Sequence, residues 1–171
     1  MMADYVMTAG VNGVGKSTLY TTDFYKIIGS AAENRINPDE ELVKFGGRYD
    51  NESDQRRAGK ISAEKLKAFL NQRLSFNQET TFSGSSEKAR IERAKALGFR
   101  IVMFYVGVDS AETAKTRVKL RVAKGGHNIP DKIVEKRYQR SIDNLKKLSN
   151  LMDELHIFDN TEVTAGDLLA R

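Results

Sequence analysis

The segment AGVNGVGKSTLY, Ala9 to Tyr20, gathers three glycines, a lysine, a serine and a threonine directly behind the apolar-leaning run YVMTAG. Gly10, four intervening residues, Gly15, Lys16 and Ser17 make the full phosphate-binding-loop pattern. The setting matches: Tyr5 to Ala9 reads as a buried strand, and a helix is expected from Lys16 to Ile28, stopped by Gly29. Glycines let such a loop curl so that successive backbone N–H groups point inward at phosphate oxygens. The helix that follows adds the positive end of its dipole. Lys16 is placed to reach the terminal phosphates of a nucleoside triphosphate, and the Ser17 hydroxyl to coordinate Mg2+. Gly10, Asn12, Gly13, Val14, Gly15, Lys16, Ser17 and Thr18 are therefore the candidate nucleotide-binding residues, for ATP or GTP. The bland reading of the same segment is a glycine-rich turn that binds nothing.

Strand and helix patterns alternate along the remaining chain. A short extended piece is expected at 34–38, a loop at 46–54, and a helix at 55–74 with Ala63, Leu66 and Leu70 at helical spacing. SFNQETTFSG reads as a strand entering a Gly/Ser turn, and 86–97 as a helix that stops at Gly98. FRIVMFYVGV is apolar on both faces, as an inner strand covered on both sides must be. Asp109 is expected to cap the next helix, with Glu112 completing a capping box. A long helix follows over 131–151, carrying the stripe Val134, Tyr138, Ser141, Leu145, Leu148 and Met152. HIFDN reads as a last strand and the tail from Thr164 as a closing helix. This alternation predicts a single α/β domain, 1–171, with a three-layer P-loop fold: a mostly parallel sheet of about five strands, helices on both faces, and a helical lid at about 117–140.

Composition narrows the function classes. There is no cysteine, so no disulfide framework, thiolate nucleophile or thiolate metal site, and with two histidines a zinc site is not expected. No apolar run reaches membrane-spanning length, and the N-terminus does not read as a signal peptide, so a cytoplasmic protein is expected. The net charge of +5 suits nucleic acid, an acidic surface or a phosphorylated small substrate, and equally a plain solvated basic surface. No tandem aromatic positions suggest single-stranded nucleic acid, and no Asp-x-x-Gly switch of the GTPase kind appears.

Other polar groups cluster where a parallel sheet binds ligands, beyond the carboxyl ends of its strands. Asp39, in INPDEE, is a candidate to take the proton of an attacking hydroxyl; it reads equally as a helix N-cap. Glu79, Thr80 and Thr81 close the third strand. Glu79 is a candidate for a substrate or Mg2+ contact, Thr81 and Ser83 for substrate contacts; the alternative is a strand emerging into solvent. In KTRVKLRVAKGGHNIPDKIVEKRYQRS, Arg121 and Arg137 lie at the margins of apolar stripes (Ala111, Ala114, Val118 and Val122 on the first helix). Lys119, Lys132, Lys136 and Arg140 point outward. Arg121 and Arg137 are candidates to close on a transferring phosphoryl group, with Gly125–Gly126 as a hinge. A solvated basic hairpin is the competing reading, and His127 reads as a turn or ligand-edge residue.

AGVNGVGKST, RINPDE, RRAGK, SFNQETTFSG and RVAKGGHNIPDKIVEKRYQRSIDNL, ending in HIFDN, together resemble the zeta-toxin-like P-loop kinases, in the branch often described as predicted ATPases. The resemblance runs in order along nearly the whole chain. It implies Lys16 and Ser17 at the nucleotide, Asp39 as general base, Glu79 and Thr81 at the acceptor, and Arg121 and Arg137 as phosphate clamps. It also implies ATP and Mg2+, a small-molecule hydroxyl acceptor such as a UDP-activated amino sugar, and an antitoxin partner protein. The chain is shorter than such toxins, and EKRYQRS stands where the family pattern has an RRY-like motif. Two further readings stay open: a kinase for another acceptor such as a polynucleotide end, and a nucleotide-binding or ATPase module that acts as a switch.

Overall fold

A computed structural model describes residues 2–19 and 28–161. Five strands, β1 (Asp4–Ala9), β2 (Arg35–Ile36), β3 (Phe76–Thr80), β4 (Arg100–Gly107) and β5 (Glu154–Asp159), form one sheet in the order β2-β3-β1-β4-β5. Every pairing is parallel, with Tyr5 opposite Phe76 on one side of β1 and opposite Ile101 on the other. The helices are α1 (Lys16–Leu19), α2 (Pro38–Lys44), α3 (Glu52–Gln72), α4 (Glu87–Ala96), α5 (Ala111–Ala123) and α6 (Asp131–Leu148). The expected α/β fold with a parallel sheet is thus what forms.

Strand alternation divides the core. Tyr5, Met7 and Ala9 of β1 and Ile101, Met103 and Tyr105 of β4 face one side, where they meet Leu66 and Leu70 of α3, Ile91 and Ala94 of α4, and Leu148 of α6. Val6, Val102 and Phe104 face the other, against Ile28 and Ala31. A third cluster caps the carboxyl end of the sheet: Val11 and Val14 pack with Val106, Val108, Ala114, Val118 and Val134. Two-sided burial is why β4 reads as continuously apolar. Ser141 is buried within the α6 stripe because its hydroxyl pairs with that of Tyr105, 2.9 Å away.

Several boundaries differ from expectation. Ser110, not Asp109, is the N-cap of α5: its hydroxyl accepts from the Thr113 N–H, while Asp109 accepts from the Thr113 hydroxyl. Glu112 does not close a capping box; it pairs with Lys115. Val122 leaves the α5 stripe and is exposed, whereas Lys115 and Arg117 are buried. The last turn of the long helix is a separate 3-10 turn, Ser149–Leu151. The helix expected at 16–28 is described only over Lys16–Leu19, and the closing helix from Thr164 lies outside the described residues. Among the described residues no helix is long and apolar enough to cross a membrane.

Candidate active site

The loop after β1 sits at the carboxyl end of the central strand. Its glycines are required by close approach as much as by curvature. A Cβ on Gly10 would lie 2.2 Å from the Val106 carbonyl oxygen. Gly13 has φ +87°, and a Cβ there would lie 2.5 Å from the Ala114 carbonyl oxygen of α5. The loop is also tied from outside: Asn160, just past β5, donates its side-chain amide to the Val14 carbonyl at 2.8 Å. Arg117 in turn donates to the Asn160 carbonyl at 2.6 Å.

Lys16 is buried, and its ammonium donates to the Gly10 and Val11 carbonyls at 2.8 and 3.1 Å. Burial pushes its pKa below the ordinary value; Glu79 and Asp39 oppose this, and Arg121 and Arg137 reinforce it. A desolvated cation resting on loop carbonyls, among two carboxylates and two guanidinium groups, is suited to an anionic ligand. Ser17 and Thr18 are exposed at the start of α1.

Asp39 occupies the first turn of α2, but it is not the cap. Asn37 is: its side-chain oxygen accepts from the Asp39 N–H at 2.9 Å. The N-cap reading of Asp39 is thereby removed. Its acidic neighbours are engaged elsewhere, Glu40 with Arg35 at 2.6 Å and buried Glu41 with Lys65 at 2.7 Å. Asp39 remains 53% exposed, and its Oδ2 lies 3.8 Å from His127 Nε2. It borders a cleft of about 1010 Å³ that is also lined by Asn12, Tyr49, Gln55, His127, Asn128 and Arg137.

Arg137 lines this cleft from α6; Arg121 of α5 reaches His127, which lines it, but Arg121, Lys16 and Ser17 do not line it themselves. Arg137 donates to Asn12 of the glycine loop at 2.8 Å. Arg121 donates to the His127 carbonyl at 2.9 Å, and its buried Nε has no hydrogen-bond partner among the described residues. Burial lowers the pKa of both, and Asp39 opposes that shift in each. An orphaned guanidinium N–H is a costly feature in a closed interior and a useful one beside an arriving oxyanion. Gly125 and Gly126 close α5: their N–H groups donate to the Val122 and Arg121 carbonyls, both at 2.9 Å. That crossing pair is a Schellman cap, so the expected hinge is a hydrogen-bonded helix end.

Glu79, Thr81 and Ser83 are not among the residues that line the cleft. Glu79 accepts from Arg35 at 2.8 Å and Asn37 at 3.1 Å, although it stays near enough to act on Lys16. Thr81 and Ser83 hydrogen-bond each other at 2.8 Å. Sequence reasoning missed Tyr49, Asn37 and Asn160. Tyr49 sits in a polar loop without periodicity, yet its ring stacks on that of His127 with centroids 3.9 Å apart and planes 4° apart. Asn37 stands immediately before the Pro38 that starts α2, a position where a capping side chain could have been foreseen.

Comparison with known proteins agrees with this geometry. The family described as zeta toxin matches residues 40–165. A Haemophilus influenzae protein described as uncharacterized is 31% identical over 135 residues, 78% of this chain and 91% of that one. The PezAT toxin–antitoxin system of Streptococcus pneumoniae superposes with a TM-score of 0.68 at 16% identity, over 92% of this chain and 69% of that one. The AvrRxo1-ORF1:ORF2 structure with ATP superposes with a TM-score of 0.72 at 14% identity, over 92% of this chain, which spans about half (55%) of the other. With most of its length matched by the family model and a glycine loop of the phosphate-binding pattern at the carboxyl end of β1, the chain belongs to the zeta toxin family and is a nucleotide-dependent P-loop kinase.

Proposed function

We propose that this chain transfers the γ-phosphoryl group of ATP, with Mg2+, to a hydroxyl of a small molecule, and that the acceptor is a UDP-activated amino sugar. The observation that carries the reading is convergence. Arg137 of α6 is hydrogen-bonded to Asn12 of the glycine loop, and Asn12, Arg137 and the exposed carboxylate Asp39 line one cleft. Residues 1–171 act as a single kinase domain, with 117–140 as its lid.

In this reading the loop N–H groups and Lys16 bind the phosphates, and Lys16 exchanges its carbonyl partners for phosphate oxygens. Ser17 would hold Mg2+, which when bound would supply positive charge to the phosphates. Asp39 accepts the proton of the acceptor hydroxyl as that oxygen bonds to the γ-phosphorus. The bond from phosphorus to the bridging oxygen breaks, and ADP leaves with the electron pair. Arg121 and Arg137 stabilise the charge that spreads over the transferring group, where a preformed donor in a water-poor site is worth most. Glu79, Thr81 and Ser83 contact the acceptor or the metal only if the Arg35–Asn37–Glu79 cluster rearranges. The cleft, at about 1010 Å³, is ample for a sugar nucleotide. The toxin–antitoxin structure it superposes on supports an antitoxin partner, and ATP chemistry of this kind suits a cytoplasmic location.

The test is ADP release from Mg-ATP with and without UDP-N-acetylglucosamine, with mass spectrometry of the product. A new phosphorylated sugar nucleotide that is lost in Lys16→Ala supports the proposal. Stimulation by a 5′-hydroxyl oligonucleotide instead would move the acceptor to a polynucleotide end.

A further inference from the structure

His127 is held more firmly than a loop residue needs to be. Its ring is stacked on Tyr49, which comes from the loop between α2 and α3. Its carbonyl accepts from Arg121. The turn that delivers it is fixed by the Schellman cap of α5, and Gly126 packs where a Cβ would lie 2.6 Å from Arg121 Cγ. The result is an imidazole whose Nε2 is aimed at Asp39 Oδ2 from 3.8 Å, about 1 Å beyond hydrogen-bond length. Catalytic hydrogen bonds of such length commonly tighten in the complex with substrate.

We propose that His127 is a positioning residue for Asp39: in the complex with substrate its Nε2–H closes onto Oδ2, which leaves Oδ1 to take the acceptor proton, while Tyr49 fixes the plane of the ring. This rests on the reading of Asp39 as the general base. The groups that face His127 are Asp39 from α2, Arg121 from α5 and Tyr49 from the α2–α3 loop. Burial lowers the His127 pKa from its ordinary 6.5, Arg121 lowers it further, and Asp39 opposes them. At neutral pH the imidazole is therefore neutral and donates a hydrogen bond without adding charge. Below its titration the imidazolium forms an ion pair with Asp39 that competes with the acceptor hydroxyl for the carboxylate. The same loop thus holds both His127 and, through the His127 carbonyl, Arg121.

Two measurements test this. The first needs no substrate. The chain has two histidines, His127 and His156, so the His127 ring protons are assigned in NMR by their loss in His127→Gln. Asp39→Asn should lower the His127 titration and leave that of His156 in place; an unmoved His127 would overturn the coupling. The second is the acceptor-free ADP release from Mg-ATP, with water as acceptor, followed across pH. His127→Ala should lower kcat about 100-fold, as a 1 Å misplacement of a reacting group does. KM for ATP should stay near parental. His127→Gln, which keeps a donor, should recover part of the rate, and Tyr49→Phe, which keeps the stack, nearly all of it. In His127→Gln the acid limb expected of the parent from protonation of His127 should move to lower pH. His127→Ala at the parental rate, with Asp39→Asn inactive, would overturn this inference alone. Asp39→Asn at the parental rate would overturn the base reading and this inference together.

Discussion

Replacing Gly13 by alanine separates two costs that a phosphate loop combines. The backbone there has φ +87°, which costs a non-glycine residue about 1–2 kcal/mol. The added Cβ would also meet the Ala114 carbonyl oxygen at 2.5 Å and Val118 Cγ2 at 3.2 Å. A backbone carbonyl within a helix cannot rotate away, so α5 or the loop must shift, an overpacking cost of about 1–3 kcal/mol. The sum is about 2–5 kcal/mol of a stability that for such domains is about 5–15 kcal/mol. Gly98 is the control. Its φ is +82°, nearly the same, but a Cβ there would have nothing within 4 Å, so Gly98→Ala carries only the backbone cost. Urea unfolding of both variants, followed by circular dichroism at pH 7, gives the comparison. With a slope of about 1–3 kcal/mol per molar urea, the steric share should set the Gly13→Ala midpoint roughly 1 M below that of Gly98→Ala. Equal midpoints at equal slopes would refute the argument that the loop is pinned against α5.

Asp39→Asn should reduce phosphoryl transfer by about 100-fold or more while ATP affinity, measured by calorimetry, stays near parental. Asn160→Ala removes the hydrogen bond that braces the loop at Val14, worth about 1 kcal/mol, so affinity for an ATP analogue should weaken about fivefold. Glu41 is buried, which alone would raise its pKa, but hydrogen bonds from Lys65 and Lys44 outweigh burial and hold it below its ordinary 4.5. A carboxyl with a depressed folded pKa contributes stability above the unfolded value and loses it as pH falls through the folded one. Glu41→Gln should therefore cost about 2 kcal/mol in urea unfolding at pH 7, a difference that shrinks as the pH drops below 4.5. Glu87 has the opposite sign. Burial raises its pKa against the influence of Arg90 and Thr80, and its Oε2 has no hydrogen-bond partner among the described residues. Its stabilising share is present below the unfolded value and lost as pH rises through the folded one, so Glu87→Gln should gain stability at pH 7 relative to pH 4.

What was legible in the sequence was whatever is encoded within a few residues. The strands, the phosphate-loop pattern and the presence of α3 and α4 follow from local periodicity and from glycine and lysine spacing, but α3 runs from Glu52, capped by Asn51, to Gln72 rather than over 55–74, so its first turn occupies residues read as loop. The α5 cap was displaced by one residue because Asp109 and Ser110 are both good caps. The choice falls to the extended backbone of Ser110, φ −150° and ψ 158°, which local composition does not reveal. Asp39 was ambiguous for a different reason. Its freedom is defined by where Glu40, Glu41 and Asn37 go, and their partners, Arg35, Lys65 and Glu79, lie on β2, α3 and β3. Tyr49 was unreadable because its significance is a contact with a loop on the far side of the cleft. Val122 was misjudged because α5 ends by turning its last apolar position to solvent as the glycine cap begins.

The bracing of the phosphate loop has a consequence for the order of events during synthesis. β1 precedes the other strands of its sheet in the chain, yet both of its neighbours come much later, and its loop is secured by Arg137, 125 residues beyond Asn12, and by Asn160, 146 residues beyond Val14. At a translation rate of about 5–20 residues per second, the interval between the loop and its last brace is about 7–30 s. Throughout that interval a nascent chain carries the nucleotide motif without the tertiary frame that shapes it. Nucleotide affinity is thus a property that arrives with the last strand, and the ribosome holds an enzyme that cannot yet grip its nucleotide.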